Sequence, residues 1–358
     1  MIQGRFRFPF LFLALLGLIA AMWAGWIRLG WDWPPIQPSL PASHGPLMVV
    51  GFLGTLIALE RAVALRQRWM YFGPLLSGIG GLVTIIGIPG LLGPFLMVLG
   101  SLVLVAILIV ILRQHIALHT VAMALGATSL AIGTILLFIG WSIPRIVLWW
   151  EAFVVLTIAG ERLELGRLLK LSKGIVWAFS AVTALSLLGL ATSTISLIWG
   201  TRIFGLGLLG MAAWLLRYDI ARHTIRQNGL ARFAALSMLS GYGWLAIGGL
   251  LALIYGGQAA GPVYDALLHS VFIGFVMTMI FAHAPIIFPS ILGLPISFSR
   301  LFYTHLILLH ASLLLRIIGD LAMVMPLRRW GGLLNGIAIL TFLVITIVSM
   351  LTNRERSI

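Results

Sequence analysis

Five histidines lie inside long apolar runs of this 358-residue chain or at their edges: His44, His269, His283, His305 and His310. An ionisable side chain in such a run is costly to bury and needs a partner, so it marks where chemistry is to be sought. A neutral imidazole offers one lone pair to a metal, and two imidazoles bracketing an iron plane hold a b-type haem without any cysteine. The chain has no cysteine. Disulfides, thiolate metal sites, iron–sulfur clusters and covalently attached haem are thereby excluded. The plainer role for any one of these histidines is a hydrogen bond that ties two helices together.

Arginines on an unexpected side supply the second signal. "MPLRRWGG", residues 325–332, puts Arg328 and Arg329 in the loop between the last two apolar runs, and Arg316 and Asp320 stand one turn apart just before it. Guanidinium forks bind carboxylates at two points. A haem carries two propionates, so Arg328, Arg329 and Arg316 are the residues to bind them; alternatively Arg316 and Asp320 form a local ion pair. A second constellation, toward the other face, comprises His283, His305, His310, Glu60 and Glu161. Imidazoles with carboxylates suit iron, zinc, copper or manganese, and such a set could instead pass protons. His269 and His283 are fourteen residues apart, hence ~21 Å along a helix and nearly on one face, and cannot share one metal. The glutamates also have a simpler reading, in which Glu60 and Glu161 pair with arginines while Arg61 and Arg162 snorkel to the surface. His115, His119 and His223 sit beside arginines at the ends of runs and read as headgroup-level side chains.

The elements that must position these residues are membrane helices. The chain is 61% hydrophobic and 9% charged, against roughly a quarter charged in soluble proteins, and its mean hydropathy is +1.12. Twelve runs recur at roughly 8–29, 44–65, 71–88, 93–113, 117–140, 145–166, 174–194, 201–218, 230–255, 263–286, 300–324 and 329–351. Each is long enough to cross ~30 Å of hydrocarbon as helix. Pro285 and Pro289 are expected to disrupt the end of the tenth. The links are short, so the chain is one polytopic membrane domain, and any chemistry lies within the bilayer. Arg5/Arg7, Arg66/Arg68, Arg113, Arg167/Lys170/Lys173, Arg217/Arg222/Arg226/Arg232, Arg300 and Arg354/Arg356 fall on one face when the spans alternate. That face is cytoplasmic, with both termini inside, which suits the inner membrane of a prokaryote. The net charge of +14 is a topology signal that also favours anionic membrane lipids, and no nucleic-acid partner is expected.

An internal repeat organises the spans. "GFLGTLIALER" (51–61), "AFVVLTIAGER" (152–162) and "GFVMTMIFAHA" (274–284) align without gaps and place Glu60, Glu161 and His283 at one position. The period is four spans, giving an all-α integral membrane protein of about 12 helices in three pseudo-repeated four-helix units, roughly 1–113, 114–218 and 219–351. On this alignment His269 corresponds to position 46, two residues from His44, a rotation of ~200°. The two imidazoles then project from different faces of equivalent helices, as a site between neighbouring repeats requires.

Twelve helices in three repeats, a histidine in "HGPLMVVGF" at the outer start of the second, a histidine in the outer part of the tenth, and an Arg-Arg pair before the last resemble the catalytic subunit of haem-copper oxidases. In that superfamily such residues ligate a low-spin haem and bind its propionates; the resemblance gives those roles to His44, His269, Arg328 and Arg329. The usual copper-site histidines are missing, because residues 145–194 contain no histidine, and the tenth helix lacks the closely spaced second histidine of a high-spin haem. "LLHSVFIGFVMTMIFAHA" (267–284) is closer to the NnrS family, membrane haem proteins associated with tolerance of nitric oxide. The resemblance implies haem b, one or two per chain, while the inner-side imidazoles and carboxylates leave copper or another transition metal open as a further cofactor. It also implies a small diatomic ligand or an electron donor as partner, and leaves a partner subunit or homo-oligomer open. If the chain is an enzyme, it is a nitric oxide-related oxidoreductase. The competing class is a transporter or proton conduit whose histidines and glutamates line a pathway without haem.

Overall fold

A computed structural model of the chain contains twelve helices long and apolar enough to cross a membrane, one for each run seen in the sequence. They are α1 (Phe8–Arg28), α2 (Leu40–Leu65), α3 (Arg68–Ile86), α4 (Leu92–Gln114), α5 (Leu118–Phe138), α6 (Ile143–Leu165), α7 (Lys173–Ile195), α8 (Leu197–Tyr218), α9 (Gly229–Tyr255), α10 (Pro262–Leu292), α11 (Phe302–Leu321) and α12 (Met325–Thr352). The structure describes residues 6–294 and 296–356, with no strand among them. Arg5, counted in the charge bias, lies outside the described residues, as do the side chains of Arg354 and Arg356. The protein is a multi-pass, all-α membrane protein.

Two compact units divide the chain: Met1–Phe153 with Ile287–Gly293, and Val154–Ile286 with Leu294–Ile358. In the first unit α1 packs on α2, α2 on α3, α3 on α4 and α4 on α5. Lipid gives helices no hydrophobic drive to associate, so close backbone approach at small residues matters more. A Cβ added at Gly17 of α1 would stand 3.1 Å from the Gly51 carbonyl carbon of α2. The loop from α1 to α2 is pinned by indoles: Trp23 and Trp33 stack at 4.8 Å, Trp26 meets Trp33 edge-on at 5.2 Å, and Trp23 Nε1 donates to the Pro34 carbonyl at 3.0 Å. Arg7 donates to the carbonyls of Ser290 and Ile291, both at 3.1 Å, at the end of α10. Pro285 and Pro289 do not break that helix, which continues through both to Leu292.

In the second unit α7 packs on α8, α8 on α9, α9 on α10, α10 on α11 and α11 on α12. The turn from α11 to α12 is tight, with Met323 in the left-handed region at φ 56° and Val324 N–H bonded to the Gly319 carbonyl at 2.8 Å. Arg328 and Arg329 therefore lie in the first turns of α12 and not in a loop. A Cβ at Gly331 would stand 2.5 Å from the Arg316 backbone nitrogen, and one at Gly319 would collide with the Arg328 nitrogen. These two glycines let α11 and α12 cross in contact and bring the arginine backbones together.

Neither α2 nor α10 is uniform. Leu47–Gly54 and Ser270–Met277 are π-helical, a form with i→i+5 hydrogen bonds that is rare in such length and frequent at functional sites. The repeat alignment that pairs Glu60 with His283 also pairs Leu47 with Ser270 and Gly54 with Met277, so the two π segments occupy matching positions. Each is followed by an aligned threonine whose hydroxyl turns back onto a π-segment carbonyl: Thr55 to Val50 at 3.4 Å, and Thr278 to Phe275 at 3.0 Å and to Gly274. The aligned part of α6 stays α-helical. There Ala152 and Leu156 replace the glycine and threonine that α2 and α10 share. The wider π turn advances each residue by less than 100°, so the constant phase that set His269 and His283 on one face does not hold between them.

Candidate functional site

His44 follows a short 3-10 turn, Leu40–Ser43, at the start of α2. Its ring lies against Gly25 of α1, where an added Cβ would come within 3.0 Å of Cε1 and Nδ1. Nδ1 is 2.7 Å from the Ala21 carbonyl oxygen. A carbonyl only accepts, so the proton is on Nδ1 and the lone pair is on Nε2. That is the tautomer in which a histidine ligates metal through Nε2, its other nitrogen held by an outer hydrogen bond.

His269 is built the same way. It ends the first α-helical part of α10, one residue before the π segment, and its Nδ1 lies 2.9 Å from the Asp265 carbonyl oxygen one turn back. The Asp265 carboxylate adds Oδ1 at 3.3 Å from the same nitrogen. Arg316 grips that carboxylate at two points, Nε to Oδ2 at 2.7 Å and Nη2 to Oδ1 at 2.8 Å, and its Nη2 is 3.4 Å from His269 Nε2. Arg328 stands with Nη2 3.7 Å from Asp265 Oδ1 and Nε 2.8 Å from Asp320 Oδ1. The latter contact is an ion pair by distance, but its N–H direction misses the oxygen. The Arg316 partner is thus Asp265, 51 residues away in sequence, instead of Asp320 one turn along the same helix. Arg329, next along α12, is half-buried. Arg316 and Arg328 thus face Asp265 and Asp320, two cations against two carboxylates.

A second triad at the other end of α10 repeats this pattern. His283 Nδ1 lies 2.7 Å from the Met279 carbonyl oxygen, and Nε2 is 3.3 Å from Arg162 Nη1. Arg162 Nε donates to Asp219 Oδ2 at 2.7 Å and Nη2 to Oδ1 at 3.4 Å, while Oδ1 also accepts from the Ala221 N–H at 2.7 Å. The side chains of Arg162 and Asp219 are 3% and 0% exposed. Arg162 therefore does not snorkel. His269 and His283 are both half-buried; the outer group differs at its aspartate, Asp265 being 14% exposed against 0% for Asp219, and at Arg328, 16% exposed.

The other histidines go to separate surroundings. His310 accepts from Trp244 Nε1 at Nδ1, 2.9 Å away, and donates from Nε2 to Ser240 Oγ, also at 2.9 Å, so both its nitrogens are used between α9 and α11. His305 is buried with neither nitrogen hydrogen-bonded among the described residues, boxed by Phe281 at 4.7 Å, Phe342 at 5.4 Å, and Phe233 and Phe302 at 5.9 Å. Among the described residues no group of three or more His, Cys, Asp or Glu side chains is arranged to hold a metal ion. Glu60 and Glu161 are half-buried, and His119 is buried rather than exposed at the interface.

Three acids escaped the sequence reading. Asp219 and Asp265 lie at the ends of apolar runs, where an acid looks solvated. Glu151 lies inside α6, fully buried, with neither oxygen hydrogen-bonded among the described residues. The rule that singles out intramembrane histidines would have found it, but the surrounding "WWEAF" reads as core.

Fold and site together define a polytopic helical membrane protein with two histidine–arginine–aspartate groups within its helices or at their ends. The chain belongs to the family described as Domain of unknown function (DUF8744), whose profile matches residues 7–351. No curated protein and no solved structure matches it.

Proposed function

We propose that this is a haem-binding integral membrane protein of a prokaryotic inner membrane, with redox or gas-ligand chemistry of the kind the NnrS resemblance implies. His44 and His269 are the imidazoles that ligate the iron of a b-type haem. The observation that carries this reading is their common build: each Nδ1 is tied to a backbone carbonyl, at 2.7 and 2.9 Å, which leaves the lone pair on Nε2. The donor set beside His269 fits the group as well, because the guanidinium forks of Arg316 and Arg328 already bind carboxylates there and can share a further one, with Arg329 next along α12. When bound, the haem supplies one-electron chemistry or an iron position for a diatomic ligand. The chain orients the imidazoles, neutralises the cofactor's carboxylates and keeps water from the spans. His283, like His269, has its Nε2 turned to an arginine, but the Arg162–Asp219 pair behind it is 3% and 0% exposed, and that triad is read as a tie between α6, α10 and the end of α8.

Haem extracted from the detergent-purified protein tests this. Wild type and His310→Ala should contain equal haem, since His310 serves hydrogen bonds; His44→Ala and His269→Ala should lose most of it. Folded wild-type protein without haem would overturn the reading.

One observation favours a second reading, a proton conduit. Glu151 is a carboxyl group inside a span with no hydrogen-bonding partner among the described residues, and such a group demands a proton or a counter-cation. Proton flux into liposomes that is abolished in Glu151→Gln, with no haem present, would establish it.

A further inference from the structure

We infer that Asp265 is the positioning residue of the His269 site, setting both the direction and the electron-donating strength of that imidazole; this rests on the haem reading above. The two triads of α10 provide the comparison. In each, an imidazole gives its Nδ1 proton to a carbonyl one turn back and an arginine paired with an aspartate faces Nε2. They differ in where the aspartate comes from. Asp219 caps the end of α8, on another element, and reaches the arginine, a backbone N–H and the neighbourhood of Tyr242, but not the imidazole's Nδ1. Asp265 lies on α10 itself, four residues before His269, so one residue provides the carbonyl at 2.9 Å, a carboxylate oxygen 3.3 Å from Nδ1, and both oxygens gripping Arg316.

Three consequences follow from that placement. The ring is held at Nδ1 by two oxygens of a single residue, and that residue is anchored across to α11 by a two-point ion pair. Its plane is therefore fixed to α10 and α11 together. A carboxylate beside the Nδ1 proton also draws the imidazole toward imidazolate, and the ligating nitrogen becomes a stronger donor, as carboxylate–histidine–metal arrangements do. Finally, the negative charge compensates Arg316, whose guanidinium would otherwise face the iron-binding nitrogen alone.

Asp265→Asn keeps the shape and the backbone carbonyl but removes the charge. The variant should retain haem, its reduction potential should shift positive because a weaker donor favours the reduced iron, and its low-spin ferric EPR signal should broaden as the imidazole plane loses its fixed direction. A red Asp265→Asn protein with unchanged potential and unchanged EPR would overturn the inference while leaving the haem reading intact. A colourless wild type would overturn both. Should Asp265→Asn fail to fold, Asp265→Glu decides: it keeps the charge and the backbone carbonyl but moves the carboxylate by one methylene, so the variant should retain haem with an altered potential and an altered low-spin EPR signal. A folded, red Asp265→Glu protein with both unchanged would contradict the assignment.

Discussion

Single residues carry most of the chemistry, and their partners were the least legible part of the sequence. His44, His269 and the arginines stood out because polar groups are rare in apolar runs. That Arg316 chooses Asp265, and that Arg162 chooses Asp219 across 57 residues, depends on tertiary approach that no local spacing encodes. Two outcomes follow at this scale. Gly25→Val should push the His44 ring off the Ala21 carbonyl, because even a Cβ there stands 3.0 Å from the ring; haem content should fall sharply while helical circular dichroism is kept. Arg162→Met leaves Asp219 buried and unpaired, a loss of about 3–5 kcal/mol. The melting temperature in detergent should drop accordingly and recover in part in the Arg162→Met/Asp219→Asn double variant.

At the scale of elements, all twelve spans were visible from length and hydropathy, since crossing a membrane requires ~20 apolar residues and little else. The π segments were not. Their i→i+5 register leaves no hydrophobic period of its own, and the only trace in the sequence is the glycine and threonine shared by α2 and α10 and missing from α6. The prolines misled as well: Pro285 and Pro289 each remove one N–H from the ladder, at the carbonyls of residues 281 and 285, yet the helix runs on through both to Leu292, where Arg7 caps the carbonyls of residues 290 and 291. Crossing helices are also set by small residues. Gly331→Leu should force α11 from α12 at the Arg316 backbone, costing about 1–3 kcal/mol by overpacking and loosening the arginine cluster. The expected readout is a lower melting temperature together with reduced haem content.

For the whole molecule, membrane class and helix count were plain from composition, whereas the placement of the termini rests on the distribution of arginine and lysine. The native chain has no cysteine, which makes single-cysteine labelling clean. With both termini cytoplasmic, Gln227→Cys should react with an impermeant maleimide only from the cytoplasmic side and Asp32→Cys only from outside; the reverse pattern would invert the topology. Family membership adds no activity, so the central claim stands on the two imidazoles. Its most direct test is the dithionite-reduced visible spectrum of the purified protein compared with His44→Ala and His269→Ala. The account predicts a sharp α-band in wild type that is lost or strongly diminished in each variant; a folded wild-type protein with no band, or a band indifferent to both substitutions, would contradict it.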